Sequence, residues 1–160
     1  MIRGATAADR DGIAALHLAS WRANYGAELD PRYLRDVLPG ALRAKWAART
    51  FAWPELGLVA EGDGLEGFAF VVADRPVPLI DNLHVRPGLQ SRGTGGRLLR
   101  AGLEALAARG IARATLTVLE SNPRGLAFYL REGGEDEGPV DDVLIDRPVR
   151  ARRIGFATGA

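Results

Sequence analysis

Glycines and arginines crowd one stretch of the sequence, VRPGLQSRGTGGRLL, from Val85 to Leu99. It follows an apolar, strand-like run and opens the longest helical pattern in the chain. The first amides of a helix lack internal partners and carry the positive end of the helix dipole. Glycines at that point let another group approach the backbone closely. A strand, a glycine turn and a helix start together make a cradle for phosphate. Gln90, Ser91, Arg92, Gly93, Thr94, Gly95, Gly96 and Arg97 would form it, with Arg100 close enough to add charge. A plain tight turn before a helix would use the same glycines.

Two familiar phosphate patterns fail here. A Walker loop needs Gly-Lys-Ser/Thr, and Gly96 is followed by Arg97 and Leu98. A dinucleotide fingerprint needs a third small residue and a place on the first strand; the pattern from Gly93 ends on Leu98, past the middle of the chain. A third pattern, Gln/Arg-x-x-Gly-x-Gly/Ala, is met by Gln90, Gly93 and Gly95. A further group with chemical spacing follows in ESNPRGLAFYLREGG. Tyr129 there lies seven residues after Asn122, two helical turns or about 10 Å along the axis, on nearly the same face.

The elements that must position these groups read as follows. MIRGAT is a short strand, and Thr6 with Asp9 makes a capping box for a helix with Ile13, Leu16 and Ser20 on one side. Asp30 and Pro31 restart a helix, which Pro39-Gly40 is expected to interrupt. Two apolar runs around EGDG form a hairpin, and VPLIDNLHV is a further strand. The helix after the glycines places Leu99, Leu103 and Leu106 on one stripe and ends at Gly110. RATLTVLE alternates as a strand. A short helix runs from the cap at Asn122 to Gly133, and the tail supplies one or two strands. The order predicts an α/β (α+β) fold: one domain over residues 1–160, with a mixed sheet and helices on both faces.

Composition narrows the function. The formal net charge is +1, which gives no general attraction for nucleic acid or an anionic membrane. The chain has no cysteine, so thiol chemistry is excluded. Its histidines, His17 and His84, are far apart in sequence, and no metal site is expected. No apolar run is long enough to span a bilayer, and the first residues carry no apolar targeting core. The expected location is cytoplasmic.

The loop resembles the acetyl-coenzyme A diphosphate loop of the GNAT acyltransferases. LHVRPGLQSRGTGGRLL is similar to that family's strand-four-to-helix segment, including Val85-x-Pro87, and ESNPRGLAFYLREGG to its second motif. The resemblance implies a mostly antiparallel sheet of six or seven strands. It implies acetyl-CoA as acyl donor and a small-molecule or peptide amine as acceptor. The fourth and fifth strands would splay, so that Leu83, His84 and Val85 pair with the pantetheine arm and offer an oxyanion donor. Asn122 would hold that arm, and Tyr129 would protonate the departing sulfur. One departure stands out: Gly134 and Glu135 follow the tyrosine helix where the family usually has an aromatic.

Acetyl transfer to an amine needs a neutral amine, donors for the developing oxyanion and a proton for the thiolate. A phenol with a pKa of about 10 is protonated at neutral pH and suits Tyr129 to donation. Tyr129 also fits a core aromatic beside Phe128. For the base, regular alternation puts Asp81 on one face with Leu79, Leu83 and Val85, among apolar neighbours that would raise its pKa. A bulge would favour His84 instead, and Glu120 ends the next strand. Trp21, Tyr25 and Tyr33 line an acceptor cleft or pack the first two helices together. Arg147, Arg150, Arg152 and Arg153 form a solvated strand face or a patch for an acidic acceptor. Exposed strands near the C-terminus would be the place for homodimer pairing. A coenzyme A-binding sensor or partner-binding module without turnover would show the same cradle.

Overall fold

The computed structural model describes residues 1–160. Along the chain run β1 (Ile2–Gly4), α1 (Arg10–Tyr25), α2 (Leu38–Ala47), β2 (Glu55–Gly62), β3 (Gly64–Val72) and β4 (Leu79–Val85). Then come α3 (Thr94–Ala107), β5 (Arg113–Leu119), α4 (Pro123–Arg131), β6 (Glu135–Leu144) and β7 (Arg147–Ala157). The strands form one seven-stranded sheet in the order β1-β2-β3-β4-β5-β7-β6. Every neighbouring pair is antiparallel except β4 and β5. This is the mixed, mostly antiparallel α/β sheet expected from the sequence.

The alternation of the central strands divides the core. Val59, Phe68 and Phe70 point to one face and pack with Ile13, Leu16, Leu42 and Trp46 of α1 and α2. Leu58, Ala60 and Ala69 point to the other and meet Leu98 of α3. Farther along that face, Leu116, Val118, Ile154 and Phe156 pack with Leu99 and Leu106 of α3 and with Leu126 and Tyr129 of α4. Helices therefore cover both faces, because both carry a continuous apolar stripe.

Pro39 does not interrupt the second helix as expected. The turn ahead of it widens into a π-helical segment at Tyr33–Val37, and Pro39 becomes an early residue of α2. Proline lacks an amide hydrogen and crowds the carbonyl four residues back. Opening the preceding turn avoids both problems without ending the helix.

At the C-terminus β6 and β7 form a hairpin whose turn, Ile145-Asp146, has positive φ at both residues, 47° and 58°. This costly conformation for a β-branched residue gives the tight twist a two-residue hairpin requires. Leu144 and Ile145 pack against the cluster under α1 and α2, and Arg147 reaches the carbonyl of Glu28. The hairpin tip thus closes over the segment that follows α1.

No helix of the chain is long and apolar enough to cross a membrane.

Candidate functional site

Leu79 and Thr115 are the one register pair between β4 and β5. Beyond them the strands diverge. Leu83, His84 and Val85 stay paired with β3 through Ala69, Phe68 and Gly67, and their other backbone edge has no strand beside it. A cavity of about 450 Å³ opens in this gap, between the start of α3 and the face of α4.

The glycine stretch forms one wall. Ser91 and Gly93 take the left-handed conformation, with φ of 67° and 81°, around Arg92. Such alternation turns successive amides toward one side and makes an anion nest. The first α3 amide with a backbone acceptor is Arg97, which donates to Gly93. The amides from Gln90 to Gly96 donate to no acceptor in the chain. The Gln90 side chain accepts from the Gly88 amide at 2.8 Å and so fastens the turn itself.

Gly95 and Gly96 have a further reason to be small. A β-carbon on Gly95 would stand 3.2 Å from the Phe128 ring, and one on Gly96 would stand 2.7 Å from the Glu132 carboxylate. They let α4 close against the start of α3.

All of the residues expected to bind the cofactor line this cavity except Arg92 and Arg97. Arg97 turns back to Thr94 Oγ1, 3.2 Å away. Asn122 uses its Oδ1 to accept the Gly125 amide at 3.0 Å and caps α4, and it lines the cavity. Tyr129 also lines the cavity while its ring rests 6.4 Å from Phe156, so it is a core aromatic and a site residue at once. Burial, with a smaller contribution from Tyr25, pushes its phenol up to about 12. It stays protonated at neutral pH and can give up a proton.

Asp81 is not where regular alternation puts it. A bulge in β4 pairs Asn82 with Phe70 and Ile80 with Val71, leaving Asp81 between register pairs. The extra residue reverses the alternation. Asp81 then lies on the α2 side, held by Asn82 Nδ2 at 2.9 Å and Lys45 Nζ at 3.5 Å. It lines no part of the cavity, and neither does Glu120, which lies 3.7 Å from Arg152.

The same bulge sets His84 opposite Phe68, on the α1 face. There Ser20 Oγ lies 2.7 Å from His84 Nδ1, and Asn24 Nδ2 donates to Ser20 Oγ at 3.2 Å. The His17 ring stands 4.6 Å from the His84 ring, and Trp46 Nε1 donates to His17 Nδ1 at 3.1 Å. Burial first, then Lys45, lowers His84 to about 4; burial, His84 and Lys45 lower His17 to about 2. Both rings are neutral at physiological pH.

Ser20, Asn24, Phe128 and Glu132 line the cavity without having been singled out from the sequence as site residues. Ser20 carried one sign, its place on the buried stripe of α1. Nothing local could link it to a histidine 64 residues away. Trp21, Tyr25 and Tyr33 pack against the cluster beneath α1 and α2. Of the C-terminal arginines, Arg150 pairs with Asp141, Arg152 pairs with Asp136, and Arg147 bonds a carbonyl, as in a solvated strand face. Gly134, where the family pattern departs, has a physical reason: a β-carbon there would stand 2.5 Å from Ile154 and 2.8 Å from Phe156. β7 already fills the space an aromatic would take.

The model of the acetyltransferase (GNAT) family matches residues 13–134. No curated protein matches the sequence. Among solved structures, the PaiA N-acetyltransferase from Thermoplasma acidophilum in complex with coenzyme A superposes with a TM-score of 0.81 at 19% identity, over 98% of each chain. The ribosomal-protein-alanine N-acetyltransferase from Brucella melitensis gives a TM-score of 0.74 at 20% identity, over 98% of this chain and 99% of that one. YncA, a putative acetyltransferase from Salmonella typhimurium with its cofactor acetyl-CoA, gives 0.72 at 19% identity, over 99% of this chain and 93% of that one. With its splayed fourth and fifth strands, its glycine-led α3 and a family match over most of its length, the chain belongs to the GNAT acetyltransferase family.

Proposed function

We propose that the protein transfers an acetyl group from acetyl-CoA to a primary amine, by direct attack with both substrates bound. One observation carries this reading. The unpartnered amides of Gln90–Gly96, the open edge of β4 and the Tyr129 phenol all converge on one cavity. The residues present fit the donor. The nest and the α3 dipole suit a diphosphate, and the free edge at Leu83–Val85 suits an amide-bearing arm.

Each group then has one task. Ser91, Gly93, Thr94, Gly95 and Gly96 hold the diphosphate through backbone amides. Asn122 offers its amide nitrogen to the arm while its oxygen caps α4. A β4 amide on the open edge faces the carbonyl oxygen that gains charge as the amine attacks. Tyr129, protonated up to about 12, gives its proton to the departing sulfur. The chain has no cysteine to carry the acetyl group, which favours direct transfer.

The acceptor class is an amine, on a small molecule or a peptide. Solved relatives in fold include a spermidine N-acetyltransferase and a ribosomal-protein-alanine N-acetyltransferase, two kinds of amine. A thiol-release assay with acetyl-CoA against polyamines, amino acids, amino sugars and peptides tests the reading. Release that depends on one class of amine is the expected result. Tight acetyl-CoA binding with no release across the panel would make the protein a binding module instead.

A further inference from the structure

Ser20 and His84 both line the cavity and lie within hydrogen-bond reach of each other. The Ser20 side chain is buried, with 4% of the residue exposed, yet it lines the cavity together with Asn24. Its oxygen accepts from Asn24 Nδ2 at 3.2 Å and lies 2.7 Å from His84 Nδ1. Asn24 takes one lone pair of the Ser20 oxygen, and the relay below has the Ser20 hydroxyl donating to His84 Nδ1. The His84 ring cannot turn away freely. His17 stands 4.6 Å from it, Phe68 5.3 Å, and His17 is itself fixed by Trp46.

We propose that Ser20 is the atom through which the acceptor amine loses its proton, with His84 receiving it and Asn24 acting as a positioning residue. The inference rests on the acetyl-transfer reading above. In the step, an N–H bond of the attacking amine breaks as its nitrogen bonds the acetyl carbon. That proton passes to Ser20 Oγ while the Ser20 proton passes to His84 Nδ1. The carbon–sulfur bond breaks, and the sulfur takes the Tyr129 proton. His84 then holds one proton too many and Tyr129 one too few, and transfer through solvent restores both. The groups facing His84 are His17 on α1 and Lys45 on α2. Neither is an acid, so nothing there would hold the imidazolium after the step.

His84 itself lines the cavity, and Ser20 lies beside the Nδ1 side of its ring. His84 projects to the α1 face, packed on Phe68, while the amine must approach along the splay. Replacing Ser20 leaves the nest and Tyr129 untouched.

The experiment uses the full chain with the amine class that the thiol-release panel identifies. Ser20→Ala should lower kcat by about 100-fold, the ordinary reach of acid–base assistance. Acetyl-CoA affinity, read by calorimetry, should not change. Ser20→Thr keeps a hydroxyl and should restore most of the rate. On the free protein, nitrogen NMR should show His84 protonated on Nε2, and Ser20→Ala should change the Nδ1 signal. An active wild type with an equally fast Ser20→Ala variant overturns the relay and leaves the acetyl-transfer reading standing. So does His84 protonated on Nδ1 in the free protein. A wild type that binds acetyl-CoA and acetylates no amine overturns both.

Discussion

The carboxylate of Glu132 lies over Gly96, so close that a β-carbon on the glycine would stand 2.7 Å from Oε1. The same carboxylate holds Arg100 Nη1 at 2.8 Å. An acid from just beyond α4 therefore rests beside amides that suit a diphosphate. Two like charges oppose each other there, and Arg100 offsets only one of them. Glu132→Gln should tighten coenzyme A binding by up to about fivefold, the range of a partly exposed charge. Calorimetry at two salt concentrations checks this, and the gain should shrink at the higher one. Weaker binding by the glutamine variant would contradict it.

Gly95 and Phe128 define how closely α3 and α4 approach, since a β-carbon on the glycine would stand 3.2 Å from the ring edge. From the sequence, a side chain at Gly95 would intrude on the phosphate itself; the structure sends it into Phe128 and Val85 first. Gly95→Leu should weaken coenzyme A binding by about tenfold or more, by pushing Phe128 across the cavity. Gly95→Leu,Phe128→Ala should recover part of the loss. Equal affinities in all three proteins would show that this wall does not shape the site.

Tyr129 has a phenol pKa raised by burial, and it lines the cavity. Tyr129→Phe removes the proton donor and keeps the ring contact with Phe156. The expected result is about a 100-fold loss of kcat with unchanged thermal stability and unchanged acetyl-CoA affinity. An undiminished rate would remove the tyrosine from the mechanism.

His17 and His84 make the fold sensitive to acid. Their folded pKa values, about 2 and about 4, lie below the unfolded value of about 6.5. Stability from keeping them neutral is therefore complete above about pH 6.5 and is lost as pH falls toward the folded values. At pH 5 the loss should approach about 2 kcal/mol for each histidine. Asp9, lowered to about 2 chiefly by its bond to Arg3, acts in the same direction only below its unfolded value near 3.8. Urea unfolding at pH 7 and pH 5 measures the difference. His17→Gln, which keeps an acceptor for Trp46, should flatten it. Identical midpoints at the two pH values for the wild type would contradict the account.

Much of the fold was legible because its signals are local. The period of apolar residues marked the helices and strands, Asn122 and Gly133 marked the ends of α4, and Gly62–Gly64 marked the hairpin. The anion nest was legible for the same reason: Gln90 to Gly96 is one turn, and its amides depend on neighbours in sequence. Asp81 was misplaced because a one-residue bulge reverses every side chain across it, and no pattern of apolar residues marks a bulge. Pro39 was misread because a widened π turn absorbs a proline that an α turn cannot.

The sequence by itself determined the elements, the glycine nest and the Asn122–Tyr129 pair, since backbone sterics, capping and helical period act over a few residues. Only the tertiary structure decided that β4 and β5 part after Leu79, that β7 fills the space beside Gly134, and that Ser20 meets His84. Those are contacts between segments far apart in the chain. They depend on how two faces of one sheet share their side chains, which no local stretch encodes.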